Sequence, residues 1–285
     1  MRGDAMLSMK DVRTLAAGLD HPEGVALGTD GLLYAGGEAG QLYRVDPGRG
    51  DVEQIAESKG SYMLGLCLDA AGAVYVCDAG TAAVRRLDPA GRLETWCDSA
   101  GGERLVCPNW PAFAPDGSLY VSDSGPEDPD VAAGRIVKVP PGGGDAEVLE
   151  LPPLHFANGL AVAGDGTLVF LESFKHPRLS EVRDSGLRVL ADLAGTVPDG
   201  VALTAEGGYV VSCYYPFHIY YVPPEGGAAE LLLDDATGTQ FPMPTNVCFF
   251  GDGLATLAVA SLGGYALSAV DIARAGIALH YPGTD

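Results

Sequence analysis

The sequence predicts an all-β protein, a six-bladed β-propeller with four-stranded blades and a single domain over 1–285. Three observations predict it. The first is a repeated unit: residues 156–168 read Phe-Ala-Asn-Gly-Leu-Ala-Val-Ala-Gly-Asp-Gly-Thr-Leu, a polar residue and a glycine, a short apolar run, a second glycine seven positions on, and another run. The same offset joins Gly24 to Gly31, Gly65 to Gly72 and Gly200 to Gly207, while Trp110 to Gly117 and Asn246 to Gly253 keep the spacing without the first glycine. The second is the period. The residues just before the first glycine slot are Glu23, Leu64, Asn109, Asn158, Asp199 and Thr245, at intervals of 41, 45, 49, 41 and 46. A β-rich repeat of about 40–50 residues marks one propeller blade. The third is the near absence of helical periodicity; 271–278 and 128–133 are too short and weak to form helices.

Each repeat fills out to four strands. The first blade is expected at 24–28, 32–37, 41–46 and 51–58, broken by turns such as Asp46-Pro47-Gly48. The second follows at 65–69, 73–78, 83–88 and 93–98, with β-branched and aromatic residues in Val74-Tyr75-Val76-Cys77. The third has 112–114, 118–122, 135–139 and 146–151, and carries the longest insertion, 123–134, rich in Asp, Pro and Gly. The fourth uses 160–163, 167–173, 179–183 and 187–193; the fifth uses 201–204, 209–214, 219–222 and 230–234. In the sixth, 247–250, 256–261 and 265–270 are clear. An open ring leaves unpaired edges, so the apolar segment 12–19 is expected to supply the outer strand of the last blade.

Composition limits the function. A hydrophobic fraction of 47% is ample for a core, and 40 glycines suit many tight turns. A net charge of −21 disfavours nucleic acid and anionic membrane as partners and favours cations near the surface. Residues 1–10 have no long apolar run, so they read as a flexible N-terminal extension rather than a signal peptide, and no stretch reaches the length of a membrane span. Cys67, Cys77, Cys213 and Cys248 lie inside apolar strand runs without zinc or redox spacing. The six cysteines therefore read as free thiols of a cytoplasmic protein.

Topology turns the repeat into a site. The inner strand of every blade runs along the central channel in one direction, so residues that begin these strands gather at one end of it. Glu23, Asn109, Asn158 and Asp199 offer side-chain oxygens there, and Thr245 is a possible fifth donor. Two carboxylates and two amides give a charge of −2 and hard donors, which suit one divalent cation: calcium first, then magnesium or manganese, with zinc less favoured. Asn158-Gly159 or Asp199-Gly200 alone would also mark an ordinary tight turn, whereas Glu23 has no special turn role.

The segments His21-Pro22-Glu23-Gly24, Pro108-Asn109, Phe156-Ala157-Asn158-Gly159-Leu160 and Pro198-Asp199-Gly200 resemble, in order and spacing, the marker segments of the senescence marker protein/gluconolactonase/luciferin-regenerating enzyme family. The resemblance runs from about 19 to 272. It implies a six-bladed propeller with one metal near the top of the channel, held by Glu23, Asn158 and Asp199. The residue matching Asn109 would touch the metal, its water or the substrate. Members known as lactonases hydrolyse sugar lactones and other lactones, and relatives cleave phosphotriesters. Cys107 stands where sugar-lactone members often have arginine, and Trp110 where an acidic residue is common; both changes make the site less polar.

The leading expectation is therefore a metal-dependent hydrolase of a lactone or similar activated ester, with Asp199 as general base or nucleophile. Its partner would be a small-molecule substrate, and the protein a monomer or small homo-oligomer. Loops between second and third strands return to the metal face and bring Glu38, Lys175, His176, Tyr214 and His218 with them. Tyr62, Met63, Trp110, His155 and Phe156 approach from the blade junctions. Asn109, Trp110, His155, His176, Tyr214 and His218 are the candidate substrate contacts, and the three histidines are possible acid–base groups. Two other classes use the same features: a non-hydrolytic isomerase, lyase or cyclase, and a ligand-binding propeller with a structural cation.

Overall fold

A computed structural model describes residues 7–183 and 186–283. Six four-stranded antiparallel sheets follow one another around a ring, each strand pairing with the next in sequence. The first blade contains Val25–Leu27, Leu33–Gly36, Gln41–Val45 and Val52–Glu57. The last combines Pro244–Phe250, Thr256–Ser261 and Ala266–Asp271 with Arg13–Ala17 from the other end of the chain. Arg13 faces Ala269 and Ala17 faces Ala266, so the expected closure within 12–19 joins the two ends in one sheet. Of the extension expected over 1–10, residues 1–6 lie outside the described residues. Leu7 donates its N–H to Leu232 O, and Met9–Asp11 form one 3₁₀ turn capped by Ser8. Among the described residues, no helix is long and apolar enough to cross a membrane.

The core lies between blades. Successive inner strands bury Val, Leu, Phe and Cys against the neighbouring sheet, with Phe170, Phe241 and Met63 fully enclosed. All six cysteines are free, five of them buried. The first-slot glycines explain how closely the blades approach. A Cβ on Gly24 would lie 2.6 Å from Leu64 O, and one on Gly159 2.3 Å from Asp199 O. Each of these glycines thus lets the backbone of the next slot residue pass at van der Waals distance. The second glycines serve differently: Gly166 turns at φ 88° and Gly207 at φ 88°, the left-handed region that glycine enters without penalty.

Boundaries differ from expectation in several blades: the inner strands of the fourth, fifth and sixth begin at Ala157, Val197 and Pro244 rather than 160, 201 and 247, and two further differences fall in the third. The inner strand of the third blade begins at Pro108 rather than 112, and its outer strand is only Glu147–Val148. The first extends because its pairing continues across a register break next to the slot. The second is cut short because Leu151 N turns back onto Leu149 O ahead of Pro152-Pro153. Register breaks also fall at the slots of Leu64, Asn158, Asp199 and Thr245. The Asn-Gly and Asp-Gly pairs are thus irregularities inside strands, the device by which a sheet re-aims one side chain.

The chain finishes by crossing the channel at the end away from the slots. Ala205 N–H donates to Ala275 O, Gly276 N–H to Leu254 O, Ile277 N–H to Leu203 O, Tyr281 Oη to Leu27 O, and Ala70 N–H to Pro282 O. His280 Nε2 stands 3.1 Å from Val162 O. This strap touches blades one, two, four, five and six.

Candidate metal centre

Register breaks at Asn109, Asn158 and Asp199, and the turn into the first strand at Glu23, put the four slot residues at one mouth of the channel, all buried, at 4%, 3%, 9% and 5% exposure. Their environment leaves oxygen atoms unpartnered. Glu23 Oε2, Asn109 Oδ1 and Asn158 Oδ1 are buried with no hydrogen bond, a state that normally costs about 1–3 kcal/mol per group. For Asn158 the orientation is fixed from behind. Its Nδ2 donates to Ser173 Oγ at 3.0 Å, and that hydroxyl donates to Pro198 O at 2.6 Å, so the amide oxygen is the end left free.

Burial, reinforced by the charge of Asp199, holds the Glu23 carboxyl well above the usual range. Burial also pushes Asp199 up to about 8, against a hydrogen bond from Asn158 that pulls it down. Two adjacent carboxyls that resist ionisation, beside amide oxygens with no donor, are the complement of a positive charge. The donor set fits one hard divalent cation: Glu23, Asn109, Asn158 and Asp199 would hold it. It contains only two carboxylates and no imidazole or thiolate, which argues against a zinc-type cage.

Thr245 turns away from the ring. Its Oγ1 donates to Glu23 O at 2.6 Å, tying the sixth blade to the first. Asn246 reinforces that seam by accepting from Val25 N–H at 3.2 Å. Leu64 is core.

The candidate substrate contacts divide. Tyr214 is half-buried and, like Tyr62, lies within the field of Asp199; burial first and carboxylate charge second raise both phenols, so they remain protonated donors. His155 is half-buried and meets exposed His176 edge-on, ring centres 6.1 Å apart. His218 has its two nitrogens against Tyr220 Oη at 2.8 Å and Asp234 at 3.3 Å, within its own blade. Trp110 is inside the channel: a Cβ on Gly65 would meet its ring at 2.1 Å. Asn109 sits in the slot of the third blade with its Oδ1 buried and unpartnered.

A set of positioning groups escaped the sequence reading. Asp123 accepts from Val106 N–H and Cys107 N–H at 3.0 and 2.7 Å and pairs with Arg135. Glu172 accepts from His155 N–H at 3.2 Å and pairs with Arg178. Asp78 accepts from Tyr62 N–H and Ser61 Oγ and pairs with Arg85. Each closes the second strand of its blade and grips the segment leading into a slot, so Asp123 sets the approach to Asn109 and Glu172 that to Asn158. The available signal was an acidic residue at the end of the second strand, followed by an arginine in the third.

A family model for the SMP-30/gluconolactonase/LRE-like region matches residues 21–263. The chain belongs to this family. Solved structures of similar fold include a gluconolactonase from Xanthomonas campestris, 20% identical with a TM-score of 0.76 over 91% of this chain and 89% of that one. A calcium-binding regucalcin from Agrobacterium tumefaciens is 16% identical, with a TM-score of 0.76 over 95% and 98%. A luciferin-regenerating enzyme is 18% identical, with a TM-score of 0.77 over 95% and 98%. At such identities these likenesses establish the propeller shared across the family. No curated protein sequence matches the chain.

Proposed function

We propose that the protein is a metal-dependent hydrolase of a lactone or similarly activated ester of a small molecule. The observation that carries this is the ring of buried oxygens, Glu23 Oε2, Asn109 Oδ1 and Asn158 Oδ1, unpartnered beside Asp199. Membership of a family named for gluconolactonase and a similar fold in a calcium-binding regucalcin support both the reaction class and calcium as the ion. When bound, a divalent cation supplies Lewis-acid polarisation of a carbonyl oxygen and stabilises the charge that develops on it.

The chain's own groups supply the rest. Asp199 accepts the proton of the attacking water, its basicity kept up by burial. Tyr62 and Tyr214 keep their protons and donate hydrogen bonds toward substrate oxygens. Asp123 and Glu172 hold the loops so that the ring does not reorganise during turnover. The −21 charge supports a small neutral or cationic substrate and disfavours nucleic acid and membrane. Free buried thiols support a cytoplasmic setting.

A second reading, an isomerase, lyase or cyclase on the same ring, is favoured by the less polar surroundings of the ring, with Cys107 and Trp110 beside Asn109. A panel of lactones with varied ring size and side chain, assayed with calcium and with chelator, separates them. Chelator-sensitive ring opening with uptake of one water is expected. Turnover that persists in chelator, or products isomeric with substrate, would overturn the hydrolase reading.

A further inference from the structure

Beyond the metal ring the channel becomes a cavity of about 330 Å³ with walls mostly of carbon. The sequence hollows it out on purpose in every repeat. The third residue after each slot is Ala26, Cys67, Ala112, Ala161, Ala202 or Cys248, and all six line the space. Larger side chains on either side, among them Trp110, Phe113 and Phe249, make the walls. At the far end the strap closes it. The strap's polar groups are engaged by strand ends: Tyr281 Oη by Leu27 O, His280 Nε2 by Val162 O and Ile277 N–H by Leu203 O. Gly276 fits there because it has no Cβ; one would lie 2.3 Å from the Phe249 ring. Leu279 on the strap is 42% exposed, and Thr29 and Gly31 complete the outer rim.

A water molecule needs two to four polar partners to settle in such a space, whereas an apolar cavity of about 150 Å³ stays dry and takes up benzene or xenon. This cavity is larger, and six repeats keep it open when any one of them could have filled it with a leucine. We propose that the channel is a binding site for one small uncharged apolar molecule, of the size of a one- or two-ring hydrocarbon, reached by displacement of the 275–282 strap. The site is separate from the donor ring and does not depend on the hydrolase reading.

The test uses the full chain, metal-free and calcium-loaded. Crystals under xenon pressure should show xenon among the six small residues, and indole or toluene should raise the melting temperature with the logarithm of its concentration. Ala161→Phe and, on the neighbouring blade, Ala112→Leu each fill part of the space; in whichever variant folds, indole should bind about tenfold or more weakly. Tyr281→Phe loosens the strap and should speed indole association without weakening it by as much. A column of ordered water through the cavity, xenon elsewhere or nowhere, or filled variants that bind indole as tightly as the native chain would overturn the proposal. The same result in both metal states would separate this site from the donor ring.

Discussion

The two ends of the channel are built by the same six inner strands and have opposite characters. At one mouth, buried oxygens of Glu23, Asn109 and Asn158 stand without donors and the strands break register. At the other, strand carbonyls that would face solvent are bonded by Tyr281 and by backbone of the strap. Three residues along the same strands the side chains change from oxygen donors to alanine and cysteine. At about 3.3 Å per residue this is a change of polarity over roughly 10 Å. A repeat therefore need not repeat its chemistry: four of the six blades keep the glycine that lets neighbouring backbones approach, while the residue before that slot differs among Glu, Leu, Asn, Asp and Thr. Among the described residues, the unpartnered slot oxygens gather at one end, which supports the proposed site there, whereas the strap closes the other.

The sharpest way to break this contrast is to alter the polar mouth without changing its size. Asp199→Asn keeps an oxygen donor but removes the proton acceptor. With calcium saturating, turnover should fall by roughly two orders of magnitude or more, the usual scale for a lost general base. Glu23→Gln removes a ligand charge at similar volume, so its main defect should be in calcium affinity, with turnover largely recovered at high calcium. Calorimetry for affinity and single-turnover assays for chemistry distinguish the two. Full recovery of Asp199→Asn at high calcium would reduce Asp199 to a ligand.

Next in size is the response to pH. The Asp199 carboxyl stands near 8 in the metal-free fold against an ordinary 3.8, and Glu23 is raised with it. A carboxyl raised on folding stabilises the fold while it is protonated, and that contribution is lost as pH climbs from about 4 through 8. The metal-free protein should therefore lose melting temperature across that window. Because the cation has to displace the protons of both carboxyls, calcium affinity should rise with pH by up to about tenfold per unit for each proton displaced and level off once both are ionised. Melting curves in chelator and in calcium should diverge as pH rises; parallel curves would mean that the pair does not share a cation.

Much of this was legible in the chain. The blade count follows from one spacing rule, because a propeller converts equivalent sequence positions into equivalent places, and the closing strand near 12–19 from the need to pair open edges; the same rule marks the slots where Glu23, Asn109 and Asn158 carry unpartnered oxygens. What was not legible depends on which way a side chain turns. Trp110 occupies the next position after Asn109, yet the missing Cβ of Gly65 draws its ring into the channel. His218, expected on a loop returning to the metal face, instead begins the third strand of its blade, His218–Val222, where Tyr220 and Asp234 hold it. Asp78, Asp123 and Glu172 are marked only by an acidic residue ending the second strand and an arginine in the third, and what they grip, backbone N–H groups, every residue has. The strap left no periodic signal at all, since it is held by single hydrogen bonds to separate blades.

The smallest expected effect tests whether the ring has been drawn with the right members. Thr245 occupies the sixth slot and carries an oxygen, so spacing alone would admit it as a ligand. Its hydroxyl instead donates to Glu23 O at 2.6 Å, with Ala260 O at 3.4 Å, which makes it a clasp between the last blade and the first. Thr245→Val keeps the shape and deletes the donor. The loss should register as stability, about 1 kcal/mol for one buried hydrogen bond, because Glu23 O loses a partner at the seam. Calcium affinity should stay within about tenfold of native, since Glu23, Asn109, Asn158 and Asp199 keep every oxygen they aim at the mouth. Chemical denaturation in chelator reads the first quantity and calorimetry the second. A variant of native stability that no longer binds calcium would exchange the two roles, making Thr245 a ligand and leaving the seam to Asn246.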